Sequence, residues 1–179
     1  MSSSSPDLRV VVTGHTQDGT SIFTSDTTVQ PIHHFGPAGP SFAVLDAQSS
    51  VPASNQTPGP DLAGSLPRCP PEGVLFSVVT YPPGFSAPAP HRTTTRDYGV
   101  VLAGEIVLEL EGGGGEEGKQ QGERKTLRQG DFLIQGGASH CWSNRSSEDC
   151  RVAFVMVGAD KVRTAGGNEL EETVFQKKG

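Results

Sequence analysis

His91-Arg92-Thr93-Thr94-Thr95-Arg96-Asp97-Tyr98-Gly99 is answered further along the chain by Gly130-Asp131-Phe132-Leu133-Ile134-Gln135-Gly136-Gly137-Ala138-Ser139-His140-Cys141-Trp142-Ser143-Asn144. Side chains alternate faces along an extended strand, so positions 91, 93, 95 and 97 share one face, and His140, Trp142 and Asn144 share another. The Gly-Asp pair marks a turn before the second segment. A His and a carboxylate on one strand, with a second His after such a turn, meet when both strands face the inside of a small β-barrel. Polar groups on an inward face need partners or a ligand. His91, Asp97 and His140 are therefore the candidate catalytic residues, as an acid/base cluster or a metal site. Thr93, Tyr98, Trp142 and Asn144 are the candidate walls of a substrate pocket.

Short β-rich runs surround this pair of segments. Residues 8–13 (Leu-Arg-Val-Val-Val-Thr) and 21–25 (Ser-Ile-Phe-Thr-Ser) flank an Asp18-Gly19 turn and predict an N-terminal hairpin. Residues 26–40 read as loop, and residues 41–46 as another short strand. Residues 48–71 are rich in Ser, Pro, Gly and Ala and predict a flexible excursion. Residues 73–81 form a strand stopped by Pro82-Pro83-Gly84. The apolar runs of residues 98–111 break at Ala103-Gly104-Glu105, a bend between two strands. Residues 112–122 form a Gly/Glu/Gln hairpin loop, residues 123–128 lead into the Gly130 turn, and residues 150–157 make the last strong strand. Residues 170–176 fit a strand or a helix. Strands at such spacing with Gly and Pro turns predict an all-β jelly-roll barrel with an N-terminal hairpin extension. The division expected is residues 1–72 as hairpin and loop extension, 73–160 as barrel, and 161–179 as a tail packed on it.

At 179 residues, the chain has the size of one domain. A net charge of −6 and the lack of a Lys/Arg cluster exclude a nucleic-acid surface. No apolar leader and no membrane-length apolar stretch occur in the sequence, so a cytoplasmic protein without membrane partners is expected. Cys69, Cys141 and Cys150 have no metal spacing and leave an odd thiol, which suits a reducing compartment. The sequons at Asn55 and Asn144 carry no weight without a secretion signal.

The paired segments resemble the two motifs of the cupins. Gly84 matches the opening of the first motif, His91 its first His, Asp97 its acidic residue and Gly104 its close. Thr93 stands where a second His is usual. Gly130, Gly137, His140 and Asn144 match the second motif, with Gln135-Gly136 in place of the usual proline. The wording around His91-Arg92-Thr93 and Asp97-Tyr98-Gly99 is similar to small microbial cupins frequent in filamentous fungi. That resemblance implies a cupin jelly-roll barrel and a divalent metal (iron, manganese or zinc) held by His91, Asp97 and His140, the two-His-one-carboxylate logic. It also implies a small-molecule enzyme of secondary metabolism: a tailoring oxidoreductase or a metal-assisted decarboxylase or isomerase, acting on a polyketide-type carbonyl or phenolic intermediate. A non-catalytic ligand-binding cupin and a purely structural barrel are the alternatives.

Of the remaining candidates, His33 and His34 sit in a loop, solvated or carried over the barrel mouth, and His15 marks a turn. Cys141 alternates away from His140 and reads as an inert thiol. Arg92 is expected to face outward. The Val10-Val11-Val12 run needs a sheet edge to pair with, and a second subunit would supply one, giving a homodimer.

Overall fold

The computed structural model describes residues 7–62, 64, 66–112 and 122–173. Ten strands carry the chain: β1 (Leu8–His15), β2 (Ser21–Val29), β3 (Ser41–Gln48), β4 (Val74–Tyr81), β5 (Thr95–Ala103), β6 (Glu105–Leu110), β7 (Arg124–Arg128), β8 (Phe132–Gly136), β9 (His140–Ser143) and β10 (Cys150–Gly158). They form a five-stranded sheet in the order β3-β4-β10-β5-β8 and a three-stranded sheet in the order β7-β6-β9, with β1-β2 a separate two-stranded hairpin. Every pairing between strands is antiparallel. The protein is an all-β jelly roll with an N-terminal hairpin.

The two larger sheets share one core. Val79, Tyr81, Val101, Val152 and Phe154 from the five-stranded sheet pack with Ile106, Leu108 and Trp142 from the three-stranded one. Alternation sets this up: in β5, Thr95, Asp97, Gly99 and Val101 are buried while Arg96, Tyr98 and Leu102 are exposed. Gly99 has no side chain for a packing reason. A Cβ there would lie 3.1 Å from Cε1 of Phe154, so the glycine leaves room for that ring on the inner face.

The bend expected at residues 103–105 is where β5 gives way to β6. Gly104 has φ +72°, and a Cβ on it would meet the carbonyl oxygen of Asp149 at 2.6 Å, a position only glycine fills comfortably. Gly130, with φ +89°, makes the turn before β8, and Asp131 Oδ2 there accepts from the Arg128 N–H at 2.8 Å.

The structure departs from the sequence reading in three places. β2 continues to Val29 rather than ending near Ser25, because cross-strand pairing persists and Arg9 pairs with Asp26. The excursion of residues 48–71 is not free of the barrel: its end turns back so that the Cys69 thiol reaches the Met156 carbonyl of β10 at 3.3 Å, and residues 66–69 reach the cavity described below. Residues 170–173 are neither strand nor helix, and residues 174–176 lie outside the described residues, as do 113–121 of the expected hairpin loop. Among the described residues, no helix is long and apolar enough to cross a membrane.

Candidate functional site

Between the two sheets lies a cavity of about 670 Å³ whose wall is mostly apolar, drawn from Phe35, Leu75, Val79, Phe85, Trp142 and Met156 among others. A polar cluster of His91, Thr93, Thr95, Asp97, Gln135 and His140 interrupts that wall.

The backbone places the two imidazoles side by side. His91 and His140 form an antiparallel bridge outside the regular ladders, with His91 N–H donating to the His140 carbonyl at 3.0 Å and the reverse bond at 2.9 Å. Side chains of such a pair stand on the same face. Their ring centroids are 4.3 Å apart. The His140 ring also meets Trp142 edge-on at 5.8 Å, which fixes one side of it.

His140 Nδ1 lies 2.9 Å from the Ala138 carbonyl. A carbonyl only accepts, so Nδ1 carries the proton and Nε2 keeps its lone pair. Gln135 Nε2 sits 3.4 Å from that Nε2 and 3.2 Å from Asp97 Oδ2, so one amide group bridges carboxyl and imidazole. The bridge follows from register, since Asp97 and Gln135 are direct cross-strand partners between β5 and β8. The other two oxygens of this pair, Asp97 Oδ1 and Gln135 Oε1, are buried acceptors without a protein donor. Such an atom costs about 1–3 kcal/mol if left unmatched, which marks this wall as one built to receive a donor. The Thr93 and Thr95 hydroxyls lie 2.9 Å apart and share a hydrogen bond that ties that wall together.

Burial decides the charge states. His91 falls to about 4, through desolvation first, then the neighbouring His140 and the charge of Arg68. His140 is lowered as well, chiefly by desolvation. Desolvation raises Asp97, against hydrogen bonds from Thr95 and Gln135 that oppose it. Both rings are thus neutral bases at ordinary pH, and the carboxyl is shifted toward its acid form.

The structure brings together His91, Asp97 and His140, with Thr93 and Trp142 on the same cavity wall. It does not bring Tyr98 or Asn144. Tyr98 has the opposite parity to Asp97 and stands 46% exposed on the outer face of β5. Asn144 is fully buried outside the cavity, where its amide donates to the Tyr81 and Glu148 carbonyls and its oxygen accepts from Ser146. β9 ends at Ser143, so the shared face with His140 does not extend to it. Arg92 is also not simply turned to solvent: its guanidinium donates to the Gly137 carbonyl and pairs with Glu111 at 2.8 Å. The loop holding His33 and His34 reaches the cavity through Phe35 instead of either imidazole.

Gln135, Arg68, Cys69 and Glu172 also line the cavity and lay outside the sequence reading as site residues. Gln135 had a visible signal, being the one polar residue of residues 132–135 at the parity opposite Phe132 and Ile134. Arg68, Cys69 and Glu172 had none, since contacts far apart in sequence position them. The Cys69 thiol is pushed up to about 11, by burial first and then the Asp97 charge, and is no nucleophile at ordinary pH.

A jelly roll with an inward two-histidine, one-carboxylate cluster at a mostly apolar cavity defines a cupin. The chain belongs to the cupin family: the description "Cupin domain" matches residues 77–157. It is 32% identical over 97% of its length, and 94% of the relative's, to "Oryzines biosynthesis cluster protein J" of Aspergillus oryzae. It is also 26% identical, over 87% of this chain and 74% of the relative, to "Cupin-domain-containing oxidoreductase fogC" of Aspergillus ruber. Among solved structures, it is similar to an oxalate oxidase in complex with the substrate analogue glycolate, at TM-score 0.46 and 18% identity over 72% of this chain and 55% of that one.

Divalent metals are common among cupins, but the donors of this chain are not arranged as a metal centre. Among the described residues, no three His, Cys, Asp or Glu side chains stand close enough to hold one ion. The Gln135 amide nitrogen lies between the Asp97 carboxyl and the His140 lone pair. Thr93, where a further imidazole is usual, offers a hydroxyl already engaged with Thr95. An amide N–H cannot ligate, and it occupies the electron pair an ion would need.

Proposed function

We propose that this cupin is a small-molecule enzyme of secondary metabolism that moves a proton, by isomerisation or a related non-redox step, on a compact carbonyl or phenolic intermediate of polyketide type. The observation that carries this reading is the pair of adjacent neutral imidazoles, bridged to a buried carboxyl by Gln135, in the wall of a mostly apolar cavity. An imidazole lone pair takes the proton from a carbon next to a carbonyl. The C–H electron pair becomes the new C=C bond, and the carbonyl π pair moves onto oxygen, giving an enolate. The imidazolium then returns its proton to another carbon of the same skeleton, and no electrons leave the substrate. Trp142 and Phe85 supply flat apolar contact for an unsaturated skeleton.

The name of the Aspergillus ruber relative favours a second reading, an oxidoreductase. A product changed in oxidation level would mark that reading, whereas two imidazoles and a carboxyl serve proton transfer directly. A binding cupin without catalysis is a third reading, separated by the same experiment. In the native host, replacement of the gene by His91→Ala or His140→Ala versions makes one intermediate accumulate. The purified wild-type protein converts that compound, and both variants, folded to the wild-type spectrum, fail to. Conversion by both variants at the wild-type rate would leave binding as the function.

We also propose that the protein acts as a homodimer in the cytosol, where its cysteines stay thiols. Across the outer face of the five-stranded sheet, Phe76, Val155, Tyr98 and Ile134 are successive cross-strand partners, and all are exposed. Phe132 beside them is 79% exposed. The β1-β2 hairpin carries exposed Val11, Val12, Ile22 and Phe23. A lone two-stranded hairpin is marginal in water, and two such apolar surfaces on one chain suit burial against a second copy.

A further inference from the structure

Among the described residues that line the cavity, Arg68 is the lone arginine or lysine, and its guanidinium is held by the carboxylate of Glu172, which lines the same wall. Both side chains are partly exposed, at 41% and 39%, so the pair sits at the rim, between the apolar interior and solvent. Arg68 Nη2 also donates to the Thr173 carbonyl at 3.3 Å. Thr173 in turn is fastened to the site, its N–H donating to the Arg92 carbonyl at 2.9 Å and its hydroxyl accepting from the Arg92 N–H at 2.8 Å. Residues 66–69 and residues 172–173 thus meet at the rim, one residue along from His91. The guanidinium charge is felt at the His91 ring.

We propose that Arg68 is the specificity-determining residue of this cavity, and that the substrate carries a carboxylate at the end opposite its reacting carbon. This deepens the reading of the site as a small-molecule enzyme and rests on it. A planar guanidinium takes a carboxylate through two parallel N–H···O bonds, the geometry Glu172 occupies in part. Glu172 is the chain's own stand-in for the substrate anion. The substrate carboxylate displaces it at Arg68 while the apolar skeleton runs inward along Trp142 to the imidazole pair. An exposed ion pair contributes little to stability, so exchanging one carboxylate for another costs little. The reacting carbon and the anchored carboxylate are then different ends of the molecule, and the carboxylate is retained in the product.

Trp142 is the single tryptophan of the chain and lines the cavity, so its fluorescence reports occupancy without a label. The test compares 4-butylbenzoate with 4-butylbenzamide, equal in shape and differing in charge, against the wild-type protein and the Arg68→Gln, Arg68→Lys and Glu172→Gln variants. The wild type binds the benzoate at least about tenfold more tightly than the amide. Arg68→Gln removes that preference, Arg68→Lys keeps part of it, and Glu172→Gln strengthens benzoate binding by removing the competitor. The inference is overturned if the wild type shows no preference or binds neither probe. It is equally overturned if the preference survives Arg68→Gln, or if Glu172→Gln weakens the benzoate. The His91→Ala/His140→Ala double variant separates the two levels: it keeps the benzoate preference if Arg68 acts as described, whatever happens to turnover.

Discussion

Replacing Asn144 by Ala unfolds the protein more readily and leaves the cavity's ligand preference unchanged. The side chain is fully buried, and it holds together the loop between β9 and β10. Its Nδ2 donates to the Tyr81 carbonyl at 2.8 Å and to the Glu148 carbonyl at 2.7 Å, and its Oδ1 accepts from the Ser146 N–H at 3.0 Å. Each of these bonds contributes about 1 kcal/mol net, and truncation leaves buried backbone groups without a partner, so the loss is about 3 kcal/mol or somewhat more. For a domain of this size, that lowers Tm by about 10 °C. Urea titration followed by Trp142 fluorescence gives the difference in unfolding free energy at constant m-value. The 4-butylbenzoate affinity of the folded variant gives the second readout. A loss below about 1 kcal/mol, or an unchanged stability with a tenfold loss of ligand affinity, would refute the assignment of Asn144 to the loop and return it to the pocket.

Three further outcomes are expected. Thr93→His supplies the imidazole usual in cupins beside His91, and its affinity for zinc rises by at least about tenfold over wild type in calorimetry; equal affinities would show that Thr93 is not what limits the donor set. Tyr98→Asp puts a charge in the middle of the exposed Phe76-Val155-Tyr98-Ile134 row, so light scattering at micromolar concentration changes from dimer to monomer; a wild-type monomer, or a variant that stays dimeric, rules this face out as the interface. Gly99→Val pushes the Phe154 ring, 3.1 Å from the added Cβ, into the cavity and weakens 4-butylbenzoate binding; unchanged binding in a folded variant would show that the ring relaxes elsewhere.

Local periodicity made much of this architecture readable before the structure. The strand runs, the break at Gly104 and the turn at Gly130 each have a steric cause within a few residues. Alternation also put His91, Thr93 and Asp97 on one face, and His140 with Trp142 on another, and the structure lines one cavity with all five. Where the reading failed, parity or range explains it. Tyr98 follows Asp97 directly and had to point outward, so its aromatic character was allowed to outweigh its position. Asn144 kept the right parity but lies one residue past the end of β9, where the chain leaves the sheet. Arg68 and Glu172 meet across 104 residues of sequence, and the Ser/Pro/Gly-rich stretch before Arg68 has no period to reveal where it returns. Gln135 was visible as a polar residue at the parity opposite Phe132 and Ile134, and as the replacement of a usual proline. Its role emerged once β5 and β8 were in register and its amide stood between Asp97 and His140.

The most direct test of proton transfer by this cluster is mass spectrometry of the product formed in D2O. The substrate is the intermediate that accumulates in the His140→Ala host, and the enzyme is wild-type protein stripped with a chelator. Turnover by the stripped protein, with solvent deuterium on a carbon next to the carbonyl and the substrate's oxidation level preserved, is the predicted result. A product that has gained or lost a pair of hydrogens or an oxygen atom would contradict it, as would turnover that returns only when iron, manganese or zinc is restored.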